Sequence, residues 1–394
     1  MNILIAHPTR QHGHKLAAGL QDAGNSVSFW TLLPDRRSMS WWPRALDIFV
    51  PKSVFRHSLG HLNHYQVSVL FGPLYFQKWT AVSRNPQVRD LGEWLAWFTF
   101  DRWVASRLHL LRPDLVIGYE MCSSMTFKAA KTLGIRCFLD AAACHYQWVD
   151  SCMPAKITGK NTLAGRKMRA RKDSEIRLAD TIICTSELAL NTYKDAGVEE
   201  TRLSLNTPGC DKAMFFPPEG RITKTQPTFI FVGQPTYHKG FDLLAEAFRK
   251  VIEEFPEAEL LVAGTKELSV VKAKIPRVRF LGQLSQKDVR LHLWKSDCLL
   301  LPSRCESFGM VVLEALSSGV PVVVSEHAGS SMVVRDSING WVVRSGAVQD
   351  LYEHMRNCCK NLQAIRAMSK TCVESVAHYD WGKYSKRANQ IITR

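Results

Sequence analysis

Glu306 and Glu314 stand eight residues apart in Pro302-Ser303-Arg304-Cys305-Glu306-Ser307-Phe308-Gly309-Met310-Val311-Val312-Leu313-Glu314-Ala315-Leu316. An apolar strand over 298–301 runs into this stretch, and the pattern predicts a helix that the two carboxylates open and extend. A helix dipole accounts for an acid near the start, so Glu306 alone has a plain structural reading. Glu314 does not: on an otherwise apolar, small-residue helix its carboxylate must find donors or stay solvated in a cleft. Sugar hydroxyls are such donors. A second constellation follows the run 229–232, in Gly233-Gln234-Pro235-Thr236-Tyr237-His238-Lys239-Gly240. Lys239 is expected to open the next helix, where its ammonium and the nearby backbone N–H groups converge on a diphosphate. The same Lys-Gly pair also reads as an ordinary helix start.

The elements that must position these residues alternate along the chain. Short apolar strands are expected near 1–6, 26–31, 67–71, 115–120, 136–140, 181–185 and 202–206. Helices are expected over Gln11 to Ala23, Leu91 to Leu111 and Ser124 to Gly134. The rhythm breaks at Asp211-Lys212-Ala213-Met214-Phe215-Phe216-Pro217-Pro218-Glu219-Gly220 and resumes at 228, with a helix from Phe241 to Glu254 and strands near 259–263, 278–281, 298–301, 321–324 and 341–343. Strands alternating with helices argue for parallel sheets in an α/β chain. The expected division is a first Rossmann-like domain over 1–210, a linker over 211–227, a second Rossmann-like domain over 228–375, and a helix over 376–394 that packs back toward the first domain. Ligands of such folds bind beyond the carboxyl ends of the strands.

The 394 residues suit two ordinary domains, and 46% of them are hydrophobic. No apolar run reaches the roughly 20 residues that span a bilayer, and Met1-Asn2-Ile3-Leu4-Ile5-Ala6 is too short for a secretory signal. A cytoplasmic protein is expected, with its 11 scattered cysteines reduced and no zinc site. The formal charge is +15. Residues 36–112 hold 11 basic and 4 acidic groups together with Trp41, Trp42, Trp79, Trp94, Trp97 and Trp103, and residues 156–177 hold 8 basic and 2 acidic groups. Indole rings among Lys and Arg suit an anionic membrane surface, to which each basic residue contributes about 1 kcal/mol. Core aromatics with a solvated basic rim form the alternative. No recognition motif accompanies the charge, so nucleic acid is not an expected partner.

The stretch 298–323, with its Glu-x7-Glu spacing, Phe308-Gly309 and Ala315-Leu316-Ser317-Ser318-Gly319-Val320-Pro321-Val322-Val323, resembles the signature of retaining glycosyltransferases with two Rossmann-like domains, the GT-B enzymes of glycosyltransferase family 4. The resemblance implies that Glu306 binds hydroxyls of the donor sugar and Glu314 the ribose of its nucleotide. Backbone N–H groups of Ser307, Phe308, Gly309, Met310 and Val311 would face the phosphates, beside Gly233, Gln234 and Lys239. Relatives usually carry an arginine where this chain has Gln234, and a glycine pair where it has Ala328-Gly329. In the loop after the first strand, His7-Pro8-Thr9-Arg10-Gln11-His12-Gly13-His14-Lys15, only Gly13 is kept of another glycine pair. Its imidazoles and basic groups either hold an anionic acceptor or phosphate or are solvated. His145, in Asp140-Ala141-Ala142-Ala143-Cys144-His145-Tyr146, would be an acceptor-side residue, or else a structural histidine. Thr185-Ser186-Glu187 reads as helix capping and domain packing. The resemblance thus implies transfer from a nucleotide-sugar to a saccharide or lipid-linked acceptor at a membrane face, in cell-surface glycan synthesis. It implies no metal or cofactor, with Lys239, backbone N–H groups and Arg304 or Arg10 serving the diphosphate. A non-catalytic relative, an epimerase or a phosphorylase are the alternatives on the same architecture.

Overall fold

The computed structural model describes residues 1–9, 12–32, 66–69, 86–220, 225–265 and 275–394. Two all-parallel sheets form the frame. The first is built from β1 (Asn2–Ala6), β2 (Ser26–Thr31), β3 (Gln66–Val69), β4 (Leu115–Tyr119), β5 (Arg136–Ala141), β6 (Thr181–Cys184) and β7 (Leu203–Leu205), in the order β3-β2-β1-β4-β5-β6-β7. The second comprises β8 (Thr228–Val232), β9 (Glu259–Ala263), β10 (Val278–Gly282), β11 (Cys298–Leu301), β12 (Val322–Ser325) and β13 (Gly340–Val343), in the order β10-β9-β8-β11-β12-β13. Their apolar runs, such as Leu-Val-Ile-Gly-Tyr in β4 and Thr-Phe-Ile-Phe-Val in β8, are those of strands covered on both faces.

Both sheets reverse their strand order once, between β1 and β4 and between β8 and β11, where Ile3 pairs with Leu115 and Phe229 with Cys298. The crevice at such a reversal opens beyond the strand carboxyl ends. The loops leaving β1, β4, β8 and β11 therefore carry the residues at 7–12, 120–123, 233–240 and 302–310.

Helices α1 (Gly13–Asp22), α2 (Pro86–Leu111), α3 (Ser124–Thr132), α4 (Tyr146–Cys152), α5 (Ala155–Thr158), α6 (Leu163–Leu178) and α7 (Glu187–Asp195) accompany the first sheet. Helix α2 starts five residues before the expected Leu91, at Pro86. Proline suits a first helical position, where its missing N–H costs no intrahelical bond. The second sheet carries α8 (Phe241–Glu254), α9 (Gln286–Trp294), α10 (Val311–Ser317), α11 (Val348–Lys360), α12 (Leu362–Ala367) and α13 (Ser369–Ser375).

The last helix, α14 (Trp381–Thr393), returns to the first domain. Its Tyr384, Ala388, Ile391 and Ile392 join that domain's apolar core, and Arg136 Nη1 donates to Ile392 O at 2.9 Å. The chain thus passes between the domains twice. The two passes are tied together where Cys210 N donates to Tyr379 O at 3.0 Å. Of the six tryptophans in the basic stretch, Trp97 and Trp103 pack against the first core and Trp94 stacks on Phe98 at 5.2 Å. Trp41, Trp42 and Trp79 lie outside the described residues.

Candidate active site

Gly240 brings the two loops of the second domain together. It precedes α8 with φ 66°, and a Cβ there would lie 2.0 Å from Pro302 O, so the glycine is required both by conformation and by space. The close approach puts Lys239 beside the β11 loop, where its Nζ contacts Glu306 Oε2 in an ion pair. Lys239 lies two residues before α8 rather than opening it, because the left-handed Gly240 intervenes. Burial pushes the Lys239 ammonium down to about 8, while the Cys305 side draws it back up and the touching carboxylate favours the charged form.

Glu306 does not open a helix, contrary to the sequence expectation. Its backbone extends the β11–β12 pairing: Glu306 N donates to His327 O and Gly329 N donates to Glu306 O, each at 2.9 Å. The helix begins only at Val311, after a turn through Gly309 at φ 90°. Sheet-like pairing therefore holds Glu306, and only Glu314 lies on α10. Phe308 is a core residue, 3% exposed. Met310 caps α10 and Val311 is its first residue.

Burial alone pushes the Glu314 carboxyl up to about 7, and no described residue donates a hydrogen bond to it. Gly233 follows β8 and donates its N–H to Ala263 O at 2.8 Å. The Gln234 side chain accepts from the Thr265 hydroxyl at 2.5 Å. Arg304 is committed elsewhere: it forks onto Asp242 with two 2.7 Å contacts, donates to Tyr237 O and stacks 3.6 Å from the Tyr237 ring. It clamps the 237–242 turn instead of offering a free cation. Arg10 lies outside the described residues.

The first domain meets this loop directly. Ser307 Oγ donates to Ala142 O at 2.6 Å, and Ser186 Oγ donates to Ser307 O at 2.6 Å while accepting from Ala189 N to cap α7. Ser186 thus both caps and joins the domains, as its Thr-Ser-Glu context predicts. A cavity of about 390 Å3 opens between the domains, bounded by Met121, Tyr146, Lys172, His238, Glu306 and Ser307.

His145 is 4% exposed and caps α4, with Nδ1 accepting from Gln147 N at 3.4 Å and its own N–H donated to Thr192 Oγ1. Its ring packs edge-on against Tyr193, and burial pushes it down to about 4. The cavity wall is formed by Cys144 and Tyr146 on either side of it. Gly13 is the first residue of α1, buried against Tyr119 and Phe29. The nearby histidines are not surface groups: His7 is 4% exposed and edge-on to Tyr119, while His12 Nε2 bonds Asp140 Oδ2 at 2.8 Å. Burial alone would lower His12; the Asp140 carboxylate outweighs it and the imidazole is raised.

A buried network missed by sequence reasoning fixes the β4 loop. Glu175 accepts from Met121 N, Ser123 N and Ser124 N, and Asp101 accepts from Met125 N and Thr126 N. Arg171 joins the two by pairing with Asp101 and donating to Met121 O. Both carboxylates satisfy orphan donors at the start of α3. The Ser-Ser run at 123–124 signals a helix start; its remote acids have no local signal. Among the described residues, no group of three or more His, Cys, Asp or Glu could hold a metal ion.

Residues 215–371 match the family model described as Glycosyl transferases group 1. An uncharacterized glycosyltransferase of Methanocaldococcus jannaschii is 34% identical over 121 residues, which are 29% of this chain and 31% of that protein. The chain spans under half the length of the curated relatives it matches, between 31% and 45%. Sucrose-phosphate synthase from Thermosynechococcus elongatus superposes with a TM-score of 0.71 at 16% identity, covering 99% of this chain and 98% of that one. Anabaena HepE, solved with UDP and glucose, gives 0.67 at 16% identity over 100% and 98%. The fold is the α/β GT-B arrangement that the sequence led us to expect.

Proposed function

We propose, from the premise of a glycosyl transferases group 1 domain joined twice to a second Rossmann-like domain, that the chain moves a sugar from a nucleotide-sugar donor to a saccharide or lipid-linked acceptor with retention of configuration, as a family 4 enzyme. One observation carries the reading: the Lys239–Glu306 pair stands at the second sheet's strand reversal, and Glu306 forms part of the wall of the cavity between the domains. The two side chains satisfy each other. Donor phosphate would take Lys239 and sugar hydroxyls would take Glu306. Glu314, half-buried and without a donor among the described residues, suits ribose hydroxyls. Anabaena HepE, with UDP and glucose bound on the same fold, supports a nucleotide-sugar.

In the proposed step the acceptor oxygen bonds the anomeric carbon on the face from which the diphosphate departs. The anomeric carbon–oxygen bond breaks with its electron pair going to the diphosphate, which also takes the acceptor proton. The protein supplies position and charge compensation through Lys239 and backbone N–H groups of 307–311. No metal enters the reading. Gly13 and His145 stand on its acceptor side, His145 at the α4 terminus beside the cavity. Replacing Glu306 with Gln should abolish transfer with the melting temperature unchanged, and Lys239→Ala should weaken both nucleotide binding and turnover. Wild-type turnover in a folded Glu306→Gln protein refutes the assignment.

A second reading, a non-catalytic nucleotide-sugar binder, is favoured by Gln234, which offers an amide bonded to Thr265 where a second cation is expected. Donor consumption above the buffer rate, with or without acceptor, excludes it.

We place the acceptor at an anionic membrane face, on the cytoplasmic side, where cell-surface glycans are built. The support is a patch in which Ile157 is 48% and Leu163 63% exposed beside Lys156, Arg166 and Lys167. Among the described residues no helix is long and apolar enough to cross a membrane. Vesicles containing phosphatidylglycerol should float the protein at low salt and release it at high salt; sedimentation free of vesicles at low salt refutes this placement.

A further inference from the structure

A second cavity, of about 420 Å3, lies at the double crossing between the domains, away from Glu306. Three kinds of wall meet there. The first domain supplies Asn206, after β7; the second supplies Met332; and α14 supplies Lys383, Lys386 and Arg387. The spacing of the last three, at i, i+3 and i+4, puts them on one face of α14, while Tyr384, Ala388, Ile391 and Ile392 take the face buried in the first core. None of the three forms an ion pair with a described residue, and all three are exposed.

Asn206 is 1% exposed, and both Nδ2 and Oδ1 are buried without a hydrogen-bond partner. Buried amides are normally paired, so an orphaned one on a residue of the cavity wall marks a place for a polar ligand. An amide presents two donors and two acceptor lone pairs, which suits hydroxyl groups. Lysine and arginine suit phosphate oxygens. Two acids share the wall, Asp380 and Glu187; Asp380 is engaged, its Oδ1 accepting from Lys383 N at 2.8 Å at the start of α14. Burial and then Lys383, Lys212 and Arg335 push His378 down, against the opposing pull of Asp380.

We propose that this hinge cavity is a binding site for a small phosphorylated polyol, with Lys386 and Arg387 on its phosphate and Asn206 on its hydroxyls. The ligand would contact both domains and the crossing between them, a position separate from the site of transfer. Calorimetric titration of the full chain with glucose 6-phosphate, inorganic phosphate and glucose tests it. Glucose 6-phosphate should bind about tenfold or more tightly than inorganic phosphate, and glucose should give no heat. Lys386→Glu with Arg387→Glu should weaken glucose 6-phosphate at least tenfold and leave UDP binding unchanged; Arg387→Ala alone serves if the double variant melts early. Asn206→Leu should bring glucose 6-phosphate down to the affinity of inorganic phosphate. No heat with glucose 6-phosphate, equal binding of inorganic phosphate, or undiminished binding by the charge variants would each overturn the proposal.

Discussion

Replacing Glu314 with Gln should stabilise the unliganded protein and weaken its donor binding, a pairing that a structural carboxylate would not produce. The carboxyl is shifted from 4.5 to about 7 by burial alone. A raised carboxyl pKa means the folded state prefers the neutral acid. The associated stability is therefore fully present below about pH 4.5 and is lost as pH rises through about 7. Carrying that shift through the linkage relation gives a loss of roughly 3 kcal/mol at most between pH 4 and pH 8, because the side chain is only partly screened from water. Glutamine keeps the shape without the charge. Urea unfolding at pH 8 should find the variant more stable by up to this amount, and at pH 4 nearly equal to wild type. Other titrating groups act in both proteins and cancel in the difference. If the carboxylate accepts ribose hydroxyls, only the ionised form binds well. Between about pH 6 and pH 8 the wild type should then gain roughly tenfold in affinity for whichever of UDP, GDP and ADP a thermal-shift screen selects. The variant should show a flat, weaker profile. A variant less stable than wild type at pH 8, or a wild-type affinity independent of pH, would refute the reasoning.

Activity should survive EDTA, since the reading leaves charge compensation to Lys239 and backbone N–H groups; complete loss restored by magnesium would contradict it. His145 predicts acid sensitivity. Burial holds its pKa near 4 against an ordinary 6.5, so its neutral form stabilises the fold above about pH 6.5, and that stability is lost as pH falls through 4. His145→Asn, which keeps a capping side chain, should remove up to roughly 3 kcal/mol of the acid destabilisation. Unchanged pH dependence of unfolding in the variant would count against a buried neutral imidazole.

Strands were the most legible elements, because a strand covered on both faces writes an unbroken apolar run, as Cys298–Leu301 and Val322–Ser325 do. The alternation around them was enough to predict two facing α/β domains. The loop after β11 was legible in composition but not in conformation. The apolar, small-residue pattern opened by the two carboxylates suggested a helix from Glu306, whereas the pairing of Glu306 with residues 327–329 is a contact between distant segments. Helices α4 to α6 escaped notice for a related reason. Helix α6 is largely polar, and part of its charge is turned inward: Arg169 forks onto Asp150, Arg171 pairs with Asp101, and Lys172 approaches Glu120 at 3.6 Å. Those partners lie 19 to 70 residues away in sequence. A count of basic residues therefore overstates the charge this segment offers to a membrane. His7 and His12 likewise looked like solvated or anion-holding groups, since burial under Tyr119 and pairing with Asp140 leave no local trace.

The same distant contacts tie assembly of the site to the position of the domains. Glu306 is held by the β12 loop on one side and touched by Lys239 on the other, and its neighbour Ser307 is bonded to Ala142 and Ser186 of the first domain. A movement that parts the domains must break the Ser307 hydrogen bonds to Ala142 and Ser186 and the longer one from Thr185 Oγ1 at 3.4 Å, one residue from the carboxylate. Each such bond contributes about 1 kcal/mol net, so together they are enough to bias an equilibrium between open and closed forms without locking it. Donor binding in the second domain would disturb Lys239 and Glu306 and so act on the same loop. On the proposed reading, closure and arrangement of the Lys239–Glu306 pair are then one equilibrium with two handles. Position of the first domain is one handle, and exchange of the Lys239–Glu306 pair for donor contacts is the other.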